Sequence, residues 1–410
     1  MGKALMAVSE NILKNLRLPA RADARMVNST SSHVKYYRAV FFIASGRRRI
    51  MNARLSVLIL IGMCLILAGC NEVVPMPDDG KREWQSLGFE DKLAIRLRLF
   101  KPYLYVCAGS NGLWRKDTQT ELSVWEYLGI SDTSLGDYLN RGVTDVIVNT
   151  ENPDIMLVAF QPDKGSDHGI FKTEDGGDTW FVSDSGLGFH FPPPWNDETY
   201  FIHPTIFLRT HYDLFAAGGS LAHTDNFGEL WEVIRQNDGA VGSSYVHDFR
   251  HHIRDTNVLW LGGVSYYETS DLYFSMDGGA TWDQIIDLHK FAVDLGVYSI
   301  AFDANDLSTA YLGLFDEIVK TTDGGASWIV VLSGCDAFVN CIVEDDTRPG
   351  HLFATVGNTT IKTEDGGETW VDLESPNDGV VQSMVYDSED NALYIGTGYG
   401  SIASVVFVYK

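Results

Sequence analysis

The segment Thr173-Glu174-Asp175-Gly176-Gly177-Asp178-Thr179-Trp180 recurs along the chain. Three further copies are nearly perfect, a degenerate copy ends at Trp231, and a weaker one ends at Trp125. We call the four clear copies the box segments; their key residues are Asp175, Gly177, Trp180, Asp277, Gly279, Trp282, Asp323, Gly325, Trp328, Asp365, Gly367 and Trp370. Successive tryptophans are 42 to 55 residues apart. This period is typical of one four-stranded blade of a β-propeller.

The residue types of a box segment predict a tight hairpin. The Asp-Gly-Gly sequence favours a turn in which glycines adopt positive φ. The carboxylate and the preceding hydroxyl can bond to backbone groups of that turn. The tryptophan then enters the outer strand and can pack between neighbouring blades. We therefore expect these aspartates to be structural rather than catalytic.

The pattern S/T-x-D-x-G-x-T-W resembles the Asp-box of the sialidase-like (BNR-repeat) propeller superfamily. The resemblance covers roughly residues 80–410 but depends mainly on the box segments. Within the superfamily, the chain looks closest in type to single-propeller bacterial lipoproteins of the photosystem II assembly and stability factor kind. The resemblance implies an all-β fold and is informative about fold more than about function.

The two ends of the repeat region predict how the ring closes. Residues 380–410 contain three strand-like runs but no box segment. Residues 79–88 look like the second half of a box, with Trp84-Gln85-Ser86-Leu87-Gly88 comparable to Trp125-Glu126-Tyr127-Leu128-Gly129. We therefore predict a single propeller of about seven four-stranded antiparallel blades, in which the N-terminal strand completes the last blade. Such closure removes open sheet edges.

Residues 51–69 have the layout of a secretory signal, with Arg54 before an apolar run at 55–67. The run is too short for an ordinary membrane-spanning helix. It ends in Leu67-Ala68-Gly69-Cys70, which resembles the bacterial lipobox and implies acylation of Cys70 after cleavage. The alternatives are an ordinary signal peptide and a short anchor helix.

The sequence divides into four parts. Residues 1–50 are either an over-extended start before Met51 or a long basic n-region; 51–69 form the signal peptide, 70–80 a tether and 81–410 the propeller. The predicted location is exported and lipid-anchored to a bacterial membrane. The periplasmic and cell-surface faces both remain open, as does the oligomeric state.

The charge excludes one class of partner. The chain carries −24, and removal of 1–69, with eleven basic and two acidic residues, leaves about −33. Such a surface repels nucleic acid and anionic lipid headgroups. We therefore predict no nucleic-acid partner, and membrane attachment through the lipid on Cys70 rather than through a basic patch.

Cysteine and histidine spacing predicts no metal or cofactor. An oxidising compartment permits a disulfide between Cys335 and Cys341, whereas Cys107 lies in an apolar run that predicts burial. No Cys/His spacing resembles a zinc site. The histidines in His247–His252 fit an inner strand, on which adjacent side chains point to opposite faces.

Two regions are candidates for ligand binding. Alignment of the innermost strands gives one polar column, Thr144, His247, Tyr298, Asn340 and Gln382, and a second column, Asp145, Asp248, Ser299, Cys341 and Ser383. The other region is the aromatic, proline-stiffened segment 189–200, where Trp195 and Tyr200 suit a protein or carbohydrate contact. Ordinary strand-end solvation and a loop folded onto its own blade are the structural alternatives.

The resemblance leaves two functions to weigh. Sialidases of the superfamily use an arginine triad, a Tyr–Glu pair and an acidic Asp, together with a Phe/Tyr-Arg-Ile-Pro motif that this sequence lacks. Xyloglucan-degrading relatives place a carboxylate pair between two propellers. In a single propeller, Asp145 and Asp248 are the remaining pair for glycoside hydrolysis. We therefore predict a non-catalytic scaffold that binds protein or glycan, with a glycoside hydrolase acting at the central channel as the alternative.

Overall fold

The computed structural model describes residues 73–75, 83–90, 92–120, 122–130, 142–161, 169–187, 205–210, 212–217, 221–236, 239–240, 245–264, 270–285, 296–398 and 405–410. Contacts divide the chain into Met1–Leu67 and Ala68–Lys410, and every described residue belongs to the second unit. All regular elements in these ranges are β-strands, so the all-β prediction is confirmed. The described ranges include no helix long and apolar enough to span a bilayer.

The strands of the amino-terminal half are short and follow one another as hairpins. In chain order they are β1 (Val73–Pro75), β2 (Trp84–Ser86), β3 (Arg96–Phe100), β4 (Tyr103–Cys107), β5 (Leu113–Asp117), β6 (Glu126–Tyr127), β7 (Gly142–Val148), β8 (Met156–Gln161), β9 (Ile170–Thr173), β10 (Phe181–Val182), β11 (Thr205–Leu208), β12 (Leu214–Ala217), β13 (Leu221–Thr224), β14 (Glu232–Val233), β15 (Arg235–Gln236) and β16 (Gly239–Ala240).

The remaining strands continue this order. They are β17 (Tyr245–His252), β18 (Asp255–Val264), β19 (Ser270–Ser275), β20 (Asp283–Gln284), β21 (Ser299–Phe302), β22 (Ala310–Gly313), β23 (Phe315–Thr321), β24 (Ile329–Glu344), β25 (Leu352–Val356), β26 (Thr359–Thr363), β27 (Trp370–Asp372), β28 (Val381–Asp387), β29 (Ala392–Thr397) and β30 (Val405–Tyr409).

Five sheets have four strands each, and four of these are simple antiparallel meanders: β3–β6, β7–β10, β11–β14 and β17–β20. The fifth has the order β2-β30-β29-β28. Its edge strand β2 comes from the amino-terminal side and pairs antiparallel with β30, with Trp84 opposite Tyr409. In addition, β15 and β16 form a two-stranded hairpin.

One larger sheet has eight strands in the order β1-β27-β26-β25-β24-β23-β22-β21. It is continuous because β24 is 16 residues long. The first part of β24 pairs with β23 and its last part pairs with β25. Gly334 and Asp336, in the middle of β24, have φ of 80° and 51°, so the strand bends where it passes from one set of partners to the other.

Apolar side chains fill the spaces between neighbouring sheets. One buried cluster joins Tyr105 and Cys107 of β4 to Val146 and Val158 of the next sheet. Another joins Leu104 and Val106 to Tyr394 and Val408 of the β28–β30 sheet. Central strands such as β8 and β22 are buried on both faces, because each central strand lies between two such clusters.

The box segments form the turns that lead into the outermost strands. In the first, the Thr173 hydroxyl donates to Asp175 Oδ1 over 2.7 Å, and the amide of Thr179 donates to the same oxygen over 2.9 Å. The amide of Gly177 donates to the Thr173 hydroxyl over 3.0 Å. The other three copies repeat this geometry around Asp277, Asp323 and Asp365. Each carboxylate is thereby held by groups of its own turn.

The second glycine of a box segment is also required by the neighbouring sheet. Gly177 has φ of 105°, and a Cβ at this position would lie 2.8 Å from the carbonyl oxygen of Leu128. Any other residue would be strained and would clash with backbone. The turn therefore touches the outer strand of the preceding sheet directly.

Tryptophan indoles join each outer strand to the preceding one. Five indole N–H groups donate to carbonyl oxygens of a neighbouring sheet or its flanking segment over 2.9 to 3.2 Å. We call these bonds the outer indole contacts: Trp84 to Leu373, Trp125 to Leu87, Trp180 to Leu128, Trp231 to Ser183 and Trp370 to Val331. The indoles of Trp282 and Trp328 donate to Gly279 and Gly325 of their own turns, as the Trp180 indole also does to Gly177.

Candidate functional site

A cavity of about 460 Å³ lies where the innermost strands of several sheets come together. Its lining comes from β3, β7, β11, β17, β24 and β28 and from the start of β21. Because the lining side chains are contributed by separate repeats, their identities can differ while the backbone frame stays the same.

The first predicted column largely faces this cavity. His247, Tyr298, Asn340 and Gln382 all line it. Thr144 does not; it is 1% exposed, and its hydroxyl donates to the carbonyl of Ala159 over 3.3 Å. Four of the five residues in the predicted column therefore line the same cavity.

A β-bulge falls at three of the four residues of this column that line the cavity, His247, Asn340 and Gln382. The register shifts between Val246 and Asp248, so His247 has no opposite partner in β18. The same irregularity falls at the other aligned positions, namely Thr144, Asn340 and Gln382. A bulge leaves one residue unpaired and re-aims its side chain. Simple strand alternation would not have predicted this arrangement.

The second predicted column connects neighbouring inner strands. Asp145 accepts the amide of Ile206 over 3.3 Å, and Asp248 accepts that of Ile300 over 2.9 Å. Similar bonds run from Ile342 to the Ser299 hydroxyl, 2.7 Å, and from Leu97 to the Ser383 hydroxyl, 2.9 Å. We call these four bonds the inner strand contacts. At the aligned Cys341, the thiol lies 3.7 Å from the carbonyl of Gln382.

Asp145 is additionally held by a buried ion pair. Arg98 Nε and Nη2 each donate to a different oxygen of its carboxylate over 2.8 Å. Arg96 lies 3.7 Å away, and the Asp145 side chain has no solvent exposure. Burial alone would raise the pKa of Asp145, but the charges of Arg98 and Arg96 outweigh it, so the pKa is lowered. Asp145 therefore stays ionised and bonded to Arg98.

Asp248 has a comparable set of partners. Its carboxylate accepts Arg250 Nε over 3.1 Å and the amide of Phe249 over 3.0 Å, besides the inner strand contact with Ile300. Burial acts to lower the pKa of Arg250, but the charges of Asp248 and Glu344 and the hydrogen bond to Asp248 together outweigh it, and the pKa is raised. The Asp248 carboxylate is thus occupied by donors of the protein itself.

Glu344 is a different kind of carboxyl in the same cavity. It lies at the end of β24 and lines the cavity with Arg250. Burial raises its pKa, and the attraction of Arg250 only partly offsets this effect. Elevated carboxyl pKa values are characteristic of general acids, so Glu344 is the cavity residue closest to such a role.

Aromatic rings form a connected row that begins in the cavity with His247 and Tyr298. His247 stacks on Tyr298 with ring centroids 4.6 Å apart. Tyr298 meets Phe338 edge-on at 4.9 Å, and Phe338 meets Phe315 at the same distance. Phe338 is 39% exposed. His247 and Tyr298, the two rings of this row that line the cavity, offer a ligand ring surface beside the amides of Asn340 and Gln382.

The guanidinium of Arg96 has a nitrogen that makes no hydrogen bond. Its Nε atom is buried and has no hydrogen-bond partner. Buried donors without partners are rare, and a bound acceptor is one explanation for such a group. This Nε atom faces Asp145 Oδ2 at 3.7 Å, while the side chain as a whole is 23% exposed and lines the cavity.

Sequence reasoning missed Arg96, Arg98, Arg250 and Glu344. The alternation Arg96-Leu97-Arg98-Leu99 would have identified β3 as an inner strand with one polar face. Arg250 and Glu344 also lie on strands that had been aligned, but farther along them than the two columns that were compared. The predicted residues Trp195, Tyr200 and Cys70 lie outside the described residues.

The cysteines and histidines add no further site. No disulfide joins Cys107, Cys335 and Cys341, which all lie in described ranges. Burial raises the pKa of the Cys341 thiol to about 11, so it is protonated at neutral pH. Within the described part of the chain, no group of His, Cys, Asp and Glu is arranged to hold a metal ion.

Solved structures with a similar fold include three that differ in function. The GH74 xyloglucanase from Xanthomonas campestris superposes with a TM-score of 0.57 at 16% identity, covering 80% of this chain and 53% of the enzyme. YCF48 bound to a D1 peptide gives 0.57 at 14% identity, covering 82% and 99%. An extracellular domain of a one-component system from B. thetaiotaomicron gives 0.54 at 12% identity, covering 79% and 39%.

These likenesses show the fold. The chain is a β-propeller, as the sequence predicted, and five of its sheets are four-stranded blades. It spans about half the length of the xyloglucanase. No protein-family model matches the sequence, and no curated protein matches it.

Proposed function

We propose that the protein is a non-catalytic scaffold that binds a protein or glycan ligand at the cavity formed by its innermost strands. The observation that carries this proposal is the cavity itself. Its volume of about 460 Å³ is within the range of ligand-binding clefts. Polar, charged and aromatic groups from at least five strands converge on it.

The state of the aspartates favours binding over hydrolysis. Glycoside hydrolysis needs one carboxyl that donates a proton and one that is available as base or nucleophile. Asp145 and Asp248 are instead occupied by arginines and backbone amides. Their positions suit a structural role in the inner strand contacts.

The lining suggests the chemistry of the ligand. His247 and Tyr298 offer ring surface, Asn340 and Gln382 offer amides, and Arg96 offers a positive charge. Such a mixture fits a peptide with an apolar side chain and free carbonyl groups. YCF48, which has a similar fold, is known in a complex with a D1 peptide, and this supports a protein ligand.

We also propose that the propeller has seven blades. The eight-stranded sheet then represents two blades, β21–β24 and β24–β27, that share one long strand, with β1 added at the edge. The sheet β28–β30 becomes the seventh blade, completed by β2. The indole of Trp84, which donates to Leu373 over 2.9 Å, supports this closure.

Export and lipid anchoring at Cys70 complete the proposal. The signal-like segment 51–69 supports it, as does the fold shared with an extracellular domain. The lipid would hold the 81–410 propeller at a membrane surface through residues 70–80. Replacement of Cys70 by Ala should abolish incorporation of labelled palmitate and release the protein from the membrane fraction; retention in that fraction would contradict the anchor.

Binding is tested by presenting the immobilised protein with peptide and glycan arrays. We expect Tyr298→Ala to weaken binding of the selected ligand by about tenfold or more, roughly 1.4 kcal/mol, because the central ring of the aromatic row is lost. The matched control is Tyr127→Ala, which removes a 44% exposed tyrosine from the outer strand β6. Equal loss of affinity in both variants would contradict the cavity as the binding site.

A glycoside hydrolase is the second candidate, supported by the raised pKa of Glu344. If this function were correct, the wild-type protein would hydrolyse xyloglucan or aryl glycosides, and Glu344→Gln would lose that activity while still binding the substrate. If Glu344→Gln hydrolysed the substrate as fast as wild type, Glu344 would not be the general acid and would no longer support the hydrolase function.

A further inference from the structure

The strand β1 lies on an outer edge of the propeller. It pairs in parallel with β27, with Val73 opposite Trp370 and Pro75 opposite Asp372. In the sheet order, β27, β26 and β25 separate it from β24, whose last residues line the cavity. The chain therefore meets this sheet at the end away from the cavity.

The spacing between Cys70 and β1 limits where a lipid could attach. Val73 is the third residue after Cys70, and three residues of fully extended chain span at most about 10 Å. Because β1 runs parallel to β27, its first residue lies beside Trp370. An acyl chain on Cys70 would therefore start within about 10 Å of the first residue of β1.

Exposed apolar side chains lie beside the same corner. Ile329 and Val330, at the start of β24, are 60% and 42% exposed. The next residue, Val331, accepts the indole N–H of Trp370 over 3.2 Å. A Cβ on Gly367 would lie 3.0 Å from Val331 Cβ. Ile329 and Val330 are thus close to the start of β27 and to the tether.

We infer that this corner, formed by β27 with Ile329 and Val330, faces the lipid bilayer. The inference rests on the lipid anchor in the proposed function. Apolar side chains at the headgroup boundary add to the attraction of the lipid anchor. The wider surface, in a chain of net charge −24, is repelled by anionic headgroups. The propeller is therefore held by its edge, with the cavity open to the aqueous phase.

The local charge is compatible with this contact. Glu364 is bonded to Lys362 over 3.0 Å, and Lys320 Nζ donates to the carbonyl of Gly366 over 3.0 Å. Two lysines thus lie among the carboxylates of the box segment that precedes β27. They reduce the repulsion that an acidic corner would meet at an anionic surface.

The test uses the full lipidated chain in vesicles of phosphatidylethanolamine and phosphatidylglycerol that contain a lipid with a headgroup nitroxide. Ile329→Cys carries a fluorophore that the nitroxide quenches on contact. The matched control is Phe181→Cys, a 46% exposed apolar position on the outer strand of another sheet. The unsubstituted chain, treated identically, gives the background from Cys335 and the other native thiols.

We expect quenching at position 329 to exceed that at position 181 severalfold. Equal quenching at the two positions, or stronger quenching at 181, would overturn the inference. Absence of the unsubstituted chain from the vesicle pellet would show that the anchor itself fails, and would overturn this inference together with it. Neither result affects ligand binding at the cavity, which the Tyr298→Ala variant tests separately.

Discussion

Neighbouring sheets are joined at both the outer rim and the inner ring of the propeller, but by different residues. The outer indole contacts use one residue type, tryptophan, at every repeat that has them. The inner strand contacts use Asp at two positions and Ser at two. Both sets join one sheet to the next through a side chain and a backbone group. Variation among repeats is therefore not by itself a sign of a binding site.

The largest expected effect concerns the outer rim. Trp370 has no solvent exposure and belongs to a buried cluster. We expect Trp370→Ala to lower the free energy of unfolding by about 3–5 kcal/mol, because a large cavity is left between two sheets. Denaturant titration measures this change. Trp114→Ala is the control, because this half-buried indole donates within its own sheet, to Asn111. If Trp114→Ala lowered the free energy of unfolding as much as Trp370→Ala, the outer indole contacts would not be more important for stability than other tryptophan contacts.

A charged inner contact should come next. Asp145→Ala leaves Arg98 without its buried carboxylate and the Ile206 amide without its acceptor. We expect a loss of about 3 kcal/mol or more in the free energy of unfolding, as for other broken buried ion pairs. The companion variant Arg98→Met removes the other partner of the ion pair and leaves the Asp145 carboxylate without this guanidinium. If Asp145→Ala proved as stable as wild type, the aspartate would have to be retained for function instead.

A neutral inner contact should matter less. Ser383→Ala removes the acceptor for the Leu97 amide but leaves no charge unpaired. The expected cost is about 1–3 kcal/mol, that of a buried donor without a partner. Thermal unfolding of this variant beside Asp145→Ala gives the ranking directly. A ranking in which Ser383→Ala is the more damaging would contradict the charge argument.

The smallest effect concerns pH and the box turns. Hydrogen bonds from the Thr179 and Thr281 side chains, among others, lower the pKa of Asp175 and Asp277 to about 2. Because an unfolded Asp titrates near 3.9, the stabilisation is present above that pH and is lost as the pH falls from about 4 towards 2. Carboxyl titration by NMR checks the values. Thr281→Val should move the Asp277 midpoint upward and leave the Asp175 midpoint in place.

The outer rim was the part most readily predicted from sequence. The box segments need particular residues at fixed spacing, because the turn, the positive φ of Gly177 and the packing of Trp180 leave few substitutes. The inner site was predicted only in outline. Four residues of the first column line the cavity, but three of them, His247, Asn340 and Gln382, lie at bulges, and a bulge of this kind has no residue requirement that sequence displays.

The arginines show a second limit. Asp145 was recognised as a notable carboxylate, yet its partner Arg98 is 47 residues away in another sheet. Only the relative placement of β3 and β7 brings the two together. A long-range pair of this kind follows from tertiary packing and not from local spacing, so the sequence left the role of the aspartate open between catalysis and structure.

The length of β24 has a consequence for how the molecule opens. Between β27 and β28, residues 373–380 lie outside the strands, so fraying can stop there. Between β23 and β25 there is no such interruption, because one strand is hydrogen-bonded to both. Residues 299–372 should therefore exchange their amide hydrogens as one cooperative unit, slower than the neighbouring sheets.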